Sequence, residues 1–385
     1  MRSHRSVPPQ FVTPPAVPVR RDQFLELDFR VMTALYGGGA EAGKNDVEDP
    51  FRVPGIRGHL RFWWRATIGG QFTDVESLRK AEAKVWGDTD IASGVRIRVL
   101  NADRGTERLA ACTGPDGRWQ KAPPDYALFP AQEDRKRIGD LYYGGRFRLE
   151  VSAREDLQSD VDAALWAWVT FGGIGGRTRR GAGSLHCAQY TYAWRAEAIR
   201  GDGGDRLWPV LKGGCVVMGS RKQEWQKCWE ECIKLLKEFR QDRYRPMGRS
   251  RWPEPDEIRR ITGQAAPEHQ PVNQKSGFPR AALGLPIMFR FNQRKSPEDP
   301  DPTTLNVFDS EDTQLRFASP VILKPWAISA NEAIPLLVVL NAPEPENVKL
   351  KFGSGPPEPV TVGGDALEEL ASKAEKDWDC RRLDL

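Results

Sequence analysis

An apolar run from Val161 to Val169 passes directly into Gly172–Gly183, twelve residues of which six are glycine and three are arginine. Glycine removes side-chain bulk and opens backbone angles denied to other residues. Backbone N–H groups of Gly173, Gly175 and Gly176 can then approach an anion, while Arg177, Arg179 and Arg180 supply charge and several donors. The competing role for such a run is a tight connection that only turns the chain. The order G-x-x-x-x-G-K-S/T is missing, and the run follows a helix instead of opening one after a strand, which argues against ATP or GTP chemistry. The dinucleotide fingerprint lacks its strand-to-helix setting for the same reason. Repeated phosphates along a nucleic-acid strand fit the mixture better.

Periodicity organises the chain around this run. Phe24–Thr33 alternates as a strand with Leu25, Leu27, Phe29 and Val31 on one side, and Ile56–Ile68 reads as a helix after Pro54 and Gly55. A second helix is predicted around Leu78–Val85, strands at Val95–Leu100 and Arg146–Val151, the helical Val161–Val169, and a strand over Leu185–Trp194. Strand, helix, strand, strand, helix, strand over residues 22–195 suggests a ferredoxin-like domain of the α+β class. Residues 113–145 read as a long insertion, and residues 1–21 as a proline-rich flexible arm. A second helix-and-sheet region spans 206–385. Its Gln223–Arg240 helix buries Trp225, Trp229, Cys232, Ile233 and Leu236, with a short helix at Asp256–Ile261 and another at Ala366–Lys376. Its strands fall at Val210–Met218, Leu283–Phe291, Leu315–Leu323 and Ile334–Leu340, and Pro297–Pro302 and Pro343–Pro359 read as surface loops.

The formal charge is only +4, from 57 basic and 53 acidic side chains, so placement must decide what the charge does. Arginine clusters at 57/61/65, 177/179/180 and 243/245/249/251, with Arg135, Lys136 and Arg137 in the insertion. In the 56–68 helix, Ile56, Leu60, Trp63 and Thr67 make a core-facing stripe, whereas Arg57, Arg61 and Arg65 recur at four-residue steps on another face suited to phosphates. Trp64 beside that stripe is the surface aromatic suited to stacking. The six cysteines, at 112, 187, 215, 228, 232 and 380, contain no C-x-x-C pair, and no histidine completes a zinc pattern with Cys228 and Cys232. No metal or cofactor is expected. Without a signal core or an uninterrupted membrane-spanning stretch, the reading is a cytoplasmic protein with no membrane partner.

At the level of motifs the chain resembles a known family. Phe51–Arg65 (FRVPGIRGHLRFWWR) looks like the N-terminal signature of the first RAMP subunits of type III-B CRISPR Cmr effector complexes. Gly172–Ser184 resembles that family's glycine-rich loop. Gly248–Asp256 (GRSRWPEPD), Gly284–Ile287 and Arg316–Pro320 resemble its second-half motifs, in the expected order. The resemblance implies tandem ferredoxin-like (RRM-like) RAMP domains with long insertions, in a multisubunit RNA-guided antiviral complex. It implies a capping position at the end bearing the 3′ region of the guide, with guide RNA, target RNA and other Cmr RAMP subunits as partners. RNA contact is carried to Arg57, Arg61, Arg65, Arg177, Arg179 and Arg180, with Arg249 and Arg251 as further candidates.

Two other functions compete with RNA binding. A RAMP endoribonuclease that processes guide precursor would need groups to activate the ribose hydroxyl and to protonate the leaving oxygen. His59 and His186 are the residues to consider, yet four histidines without a paired constellation make both better as RNA contacts than as catalysts. A mainly architectural subunit, using its arginines on acidic neighbours, is the third reading. The expectation is a noncatalytic protein.

Overall fold

A computed structural model describes residues 23–39, 44–109, 112–113, 119–120, 126–128, 132–133, 137–138, 140–243, 249–269, 276–292, 294, 296–380 and 382–385. The arm at 1–21, Arg135, Lys136, Arg245 and Gly248 lie outside them, as does much of the 113–145 insertion. The N-terminal half contains β1 (Gln23–Val31), α1 (Val53–Thr67), α2 (Val75–Trp86), β2 (Val95–Asp103), β3 (Arg146–Ala153), α3 (Gln158–Phe171) and β4 (Leu185–His186). The C-terminal half adds β5 (Val210–Met218), α4 (Trp225–Arg240), α5 (Glu254–Thr262), β6 (Ile287–Phe289), β7 (Thr303–Phe308), β8 (Val321–Ala327), β9 (Glu332–Asn341), β10 (Val348–Lys351), α6 (Ala366–Asp377) and β11 (Arg382–Asp384). The fold is therefore mixed, with several antiparallel sheets.

Local chemistry explains where these elements start and stop. Pro54 sits in the first turn of α1, where its missing N–H has no partner to lose. Asp74 caps α2 by accepting from Ser77 N at 2.8 Å, and Gly87 at φ +77° ends it. Among the described helices none is long and apolar enough to cross a membrane.

The first sheet has the order β4-β1-β3-β2 and the second β11-β5-β9-β8, each with antiparallel neighbours. A third small sheet, built on β6-β7-β10, packs with α5 around Phe278, Leu305 and Leu350. The first sheet turns Leu27, Phe29, Val31, Leu149 and Val151 onto α1 and α3. The second sheet is covered twice. Val216, Ile322, Leu336 and Val338 share the core of α1 and α3, whereas Cys215, Val217, Leu323 and Val339 meet α4 and α6. Burial on both faces is why most of β9, and β8 apart from Lys324, read as apolar runs.

Several expectations need correction. Strand pairing after the glycine run stops at His186, and Ala188–Tyr190 is a short 3-10 turn, so Leu185–Trp194 is not one strand. Pro343–Pro359 is more than loop: β10 lies inside it and buries Val348 and Leu350. Leu283–Phe291 contains only the short β6 after a 3-10 turn at Pro279–Leu283, and the strand expected at Leu315–Leu323 runs instead over β8. Leu25 is 42% exposed, so the apolar face of β1 begins at Leu27.

Candidate nucleic-acid interface

The glycine run is the joint between the two halves. Residues 32–36, which continue β1, run beside it: Met32 N donates to Ser184 O (2.8 Å), Gly183 N to Ala34 O (2.8 Å) and Gly176 N to Tyr36 O (2.6 Å). The Thr33 hydroxyl donates to Gly181 O at 2.6 Å, and Ser184 Oγ donates to the same carbonyl at 2.9 Å. The glycines exist for this packing. A Cβ on Gly173 would stand 2.8 Å from Gly183 O, one on Gly175 2.9 Å from Tyr36 O, and one on Gly176 3.1 Å from Tyr36 O. Gly181 gives the Trp229 indole its place, and Trp229 Nε1 donates to Arg180 O at 2.6 Å. Gly173, Gly175 and Gly176 thus press against protein backbone on the sides that Cβ atoms would occupy.

On the far side of the joint, the edge of the second sheet is capped by cations. Arg180 Nη1 donates to Val321 O (2.9 Å), and the Arg179 guanidinium donates to Ser319 O while lying over the Phe62 ring at 5.5 Å. Lys324, 1% exposed, donates to Val169 O (2.9 Å) and Gly172 O (2.7 Å) at the end of α3. Burial pushes its pKa down to about 7. Edge strands need such covering to satisfy exposed carbonyls.

Arg177, Arg180 and Arg240 gather where the joint meets the end of α4. Arg177 takes a left-handed backbone (φ +59°), and its Nε donates to Ala127 O at 2.8 Å. Arg240 is hydrogen-bonded to Tyr126. Burial lowers the pKa of all three, to about 9 for Arg180, and mutual repulsion adds to it: Arg240 acts on Arg177, and Arg240 and Arg177 on Arg180. Among the described residues no carboxylate pairs with Arg177, Arg179, Arg180 or Arg240. The nearby Glu254 is fully buried and is held by Arg280 at 3.0 Å. Among the described residues the three guanidinium groups bond only to neutral oxygens, with the buried Glu254 acting on Arg240 from a distance, and such partly desolvated groups would gain from an anion.

The other predicted contacts are placed differently. Arg61 Nε and Arg65 Nη1 each lie 2.7 Å from Glu82 Oε1 on α2, and Arg57 Nη1 donates to Trp86 O (3.2 Å) and Ser93 Oγ (2.9 Å). The stripe that periodicity offered to phosphates therefore clamps α2 and the start of β2 onto α1. Glu82, 5% exposed, carries the clamp, and Glu82→Gln is expected to lower stability by about 1–3 kcal/mol, read as a drop in the urea midpoint. An unchanged midpoint would show that the clamp contributes nothing.

Trp64 is not a surface aromatic. It is 1% exposed, its indole N–H reaches Asp160 at 3.4 Å, and its ring faces Phe72. Neighbouring helix positions differ by about 100°, and α1 buries both Trp63 and Trp64 because α2, α3 and the second sheet surround it. His59 stacks on Trp168, and burial holds its pKa down at about 4. His186 sits in β4 opposite Arg30, and its pKa is lowered by burial and then by Arg30. Neither ring is hydrogen-bonded to an acid or base among the described residues. Arg249 is tied to the buried Asp256 at 2.6 Å, and Arg251 to Asp242 at 3.1 Å.

Sequence reasoning passed over Arg240 and Lys324. A cation in the last turn of a helix is ordinary and gives no signal. A lysine inside the apolar run VILKPWA was a signal, since a buried lysine must find oxygen partners.

Residues 28–186 match the RAMP superfamily. The chain is similar to two Pyrococcus furiosus proteins. One is the CRISPR system Cmr subunit Cmr1-2, 29% identical over 176 residues that span 41% of this chain and 91% of that protein. The other, Cmr1-1, is 33% identical over 139 residues, 35% of this chain and 39% of that one. The crystal structure of Cmr1 from Pyrococcus furiosus in its apo form superposes with a TM-score of 0.53 at 15% identity, covering 94% of this chain and 98% of that chain, a likeness of fold. The RAMP superfamily match at residues 28–186 contains both the Phe51–Arg65 motif and the glycine joint, so it is over this part that the chain is similar to the RAMP superfamily.

Proposed function

We propose that this protein is a noncatalytic RNA-binding and capping subunit of an RNA-guided type III-B CRISPR complex. In that role it holds the backbone of the guide 3′ region, the target RNA or both, beside other RAMP subunits. The observation that carries the reading is the cluster of Arg177, Arg180 and Arg240 at the joint between the halves, bonded among the described residues to neutral oxygens. Sequence choice in such a complex rests on base pairing, so its proteins need to grip backbone and shape. The kinship with Cmr subunits supports the assembly.

Residues 22–195 and 206–385 are read as tandem ferredoxin-like domains, the first with its long insertion at 113–145. Support comes from connectivity. Counting the four main strands of each sheet in chain order, both sheets run fourth, first, third, second, with helices after the first and third; a two-residue strand at Gln223–Glu224 adds to the second.

The test uses the full chain and a labelled single-stranded RNA. Arg177→Gln with Arg240→Gln is expected to weaken binding at least tenfold and to flatten the dependence of log affinity on log salt by about 1.4, near 0.7 for each lost phosphate contact. Unchanged affinity and slope would remove RNA from this joint and favour the architectural reading. RNA cleavage by the isolated chain, abolished by changing His59 or His186, would overturn the noncatalytic assignment.

A further inference from the structure

The first sheet has one face on α1 and α3 and one face open. Strand register sets the charges of the open face in rows. Glu26, Glu150 and Arg98 make one row, and Asp28, Arg148 and Leu100 the next. Every charge in these two rows is paired: Arg98 lies 3.3 Å from Glu150, and Arg148 lies 2.9 Å from Asp28 and, across to the first row, 3.5 Å from Glu26. The following row is different. Arg146 stands opposite Arg30, and Arg30 stands opposite His186.

Neither Arg30 nor Arg146 has an ion-pair partner among the described residues. Asp103 lies across from Arg146 at the β2 end, but its Oδ1 accepts from Gly105 N at 2.9 Å and makes no bridge to the arginine. Like charges directly opposed on neighbouring strands destabilise a sheet. Glu26 and Glu150 are opposed in the same way, but Arg148 and Arg98 lie 3.5 Å and 3.3 Å from them; Arg30 and Arg146 have no such neutralising partner among the described residues, so folding alone does not account for the row.

Its position supplies a reason. His186 is two residues beyond Ser184, where the glycine joint ends, and Arg30 is two residues before Met32, where the paired ribbon of 32–36 with 176–184 begins. At the other end of that ribbon Tyr36 O accepts from Gly176 N, beside Arg177. The six residue steps from Arg30 to Tyr36 span at most about 20 Å. The row and the arginine cluster therefore mark two ends of one ribbon, a distance that a few nucleotides of extended strand cross.

We propose that Arg146, Arg30 and His186 form a second contact row for the phosphodiester backbone of single-stranded RNA, on the open face of the first sheet. This rests on the RNA-binding reading of the joint and lengthens its track. The arginines provide fork-shaped donors for phosphate oxygens, and the bound anion relieves the repulsion that the free sheet carries.

The experiment compares the full chain with three variants, Arg30→Gln/Arg146→Gln, Arg177→Gln/Arg240→Gln and Arg148→Gln, on labelled oligouridylate over a salt series. Loss of the row is expected to weaken binding about tenfold and to lower the salt slope by about 1.4. Arg148→Gln, on the same face but in an ion pair, should stay within about twofold of the parent. The row variant should melt no lower than the parent, because an opposed pair of like charges is gone. An unchanged slope in the row variant, while Arg177→Gln/Arg240→Gln weakens binding, would overturn the row and leave the RNA reading standing. Polyglutamate binding that is lost in the row variant while oligouridylate binding persists would assign the face to an acidic protein, and also overturn it. A parent chain with no affinity for RNA would remove both readings.

Discussion

Replacing Gly183 with alanine is expected to cost the fold more than about 3 kcal/mol, from left-handed strain and a backbone clash that only a shift of the loop can relieve. Gly183 holds φ +63°, and a Cβ there would stand 1.9 Å from Ile174 O. That carbonyl cannot rotate away as a side chain would. The shift would carry Arg177 and Arg180 with it, so RNA affinity should fall along with stability. Gly176→Ala is the matched control: its φ is not left-handed, and its Cβ would stand 3.1 Å from Tyr36 O, for an expected cost within about 1 kcal/mol. Urea unfolding of both variants checks this, and equal midpoints for the two would show that the joint is not tightly packed.

Lys324→Met is expected to destabilise the protein by roughly 2–4 kcal/mol at pH 9, because two carbonyls at the end of α3 lose their donor inside the core. The deficit depends on pH. Burial lowers the pKa of Lys324 to about 7 in the folded chain, against about 10.4 in an unfolded one. Between those values the unfolded chain binds more protons, so stability contributed by this group rises with pH. Below pH 7 both states carry the charge, and the folded state bears the full cost of burying it. The gap between parent and variant should therefore narrow by up to about 3 kcal/mol on going from pH 9 to pH 6. Denaturation of both proteins at the two pH values reads the difference, with other titrations cancelling. A gap that stays constant or widens in acid would mean that Lys324 remains charged throughout.

Lys324 also shows where sequence reading succeeds and fails. The lysine in an apolar run was passed over although it could have signalled a buried cation, and no local pattern could give the carbonyls it meets, which are more than 150 residues away in the chain. The same division runs through the candidate interface. The periods of α1, α2, α3 and α4, and of β1, β2 and β3, were legible because each element buries a face set by its own local repeat. The glycine run was legible as a special connection, since six glycines in twelve residues serve little else. That its glycines pack against Tyr36, Ile174 and Trp229 was not, because those neighbours come from separate elements.

By itself, then, the sequence determined the six helices, the order of strands and helices in the first half, and the residue types at the joint. Tertiary structure alone decided what each arginine meets. Arg57, Arg61 and Arg65 have one spacing and one helix face, yet Glu82, Trp86 and Ser93 occupy them once α2 folds back. Arg177 and Arg180 meet Arg240 only when α4 reaches the joint, and Arg30 faces Arg146 only through the β1–β3 register. Charge carries no local periodicity that reveals its partner; pairing over a few ångströms is set by distance in space, and the chain brings those atoms together only on folding.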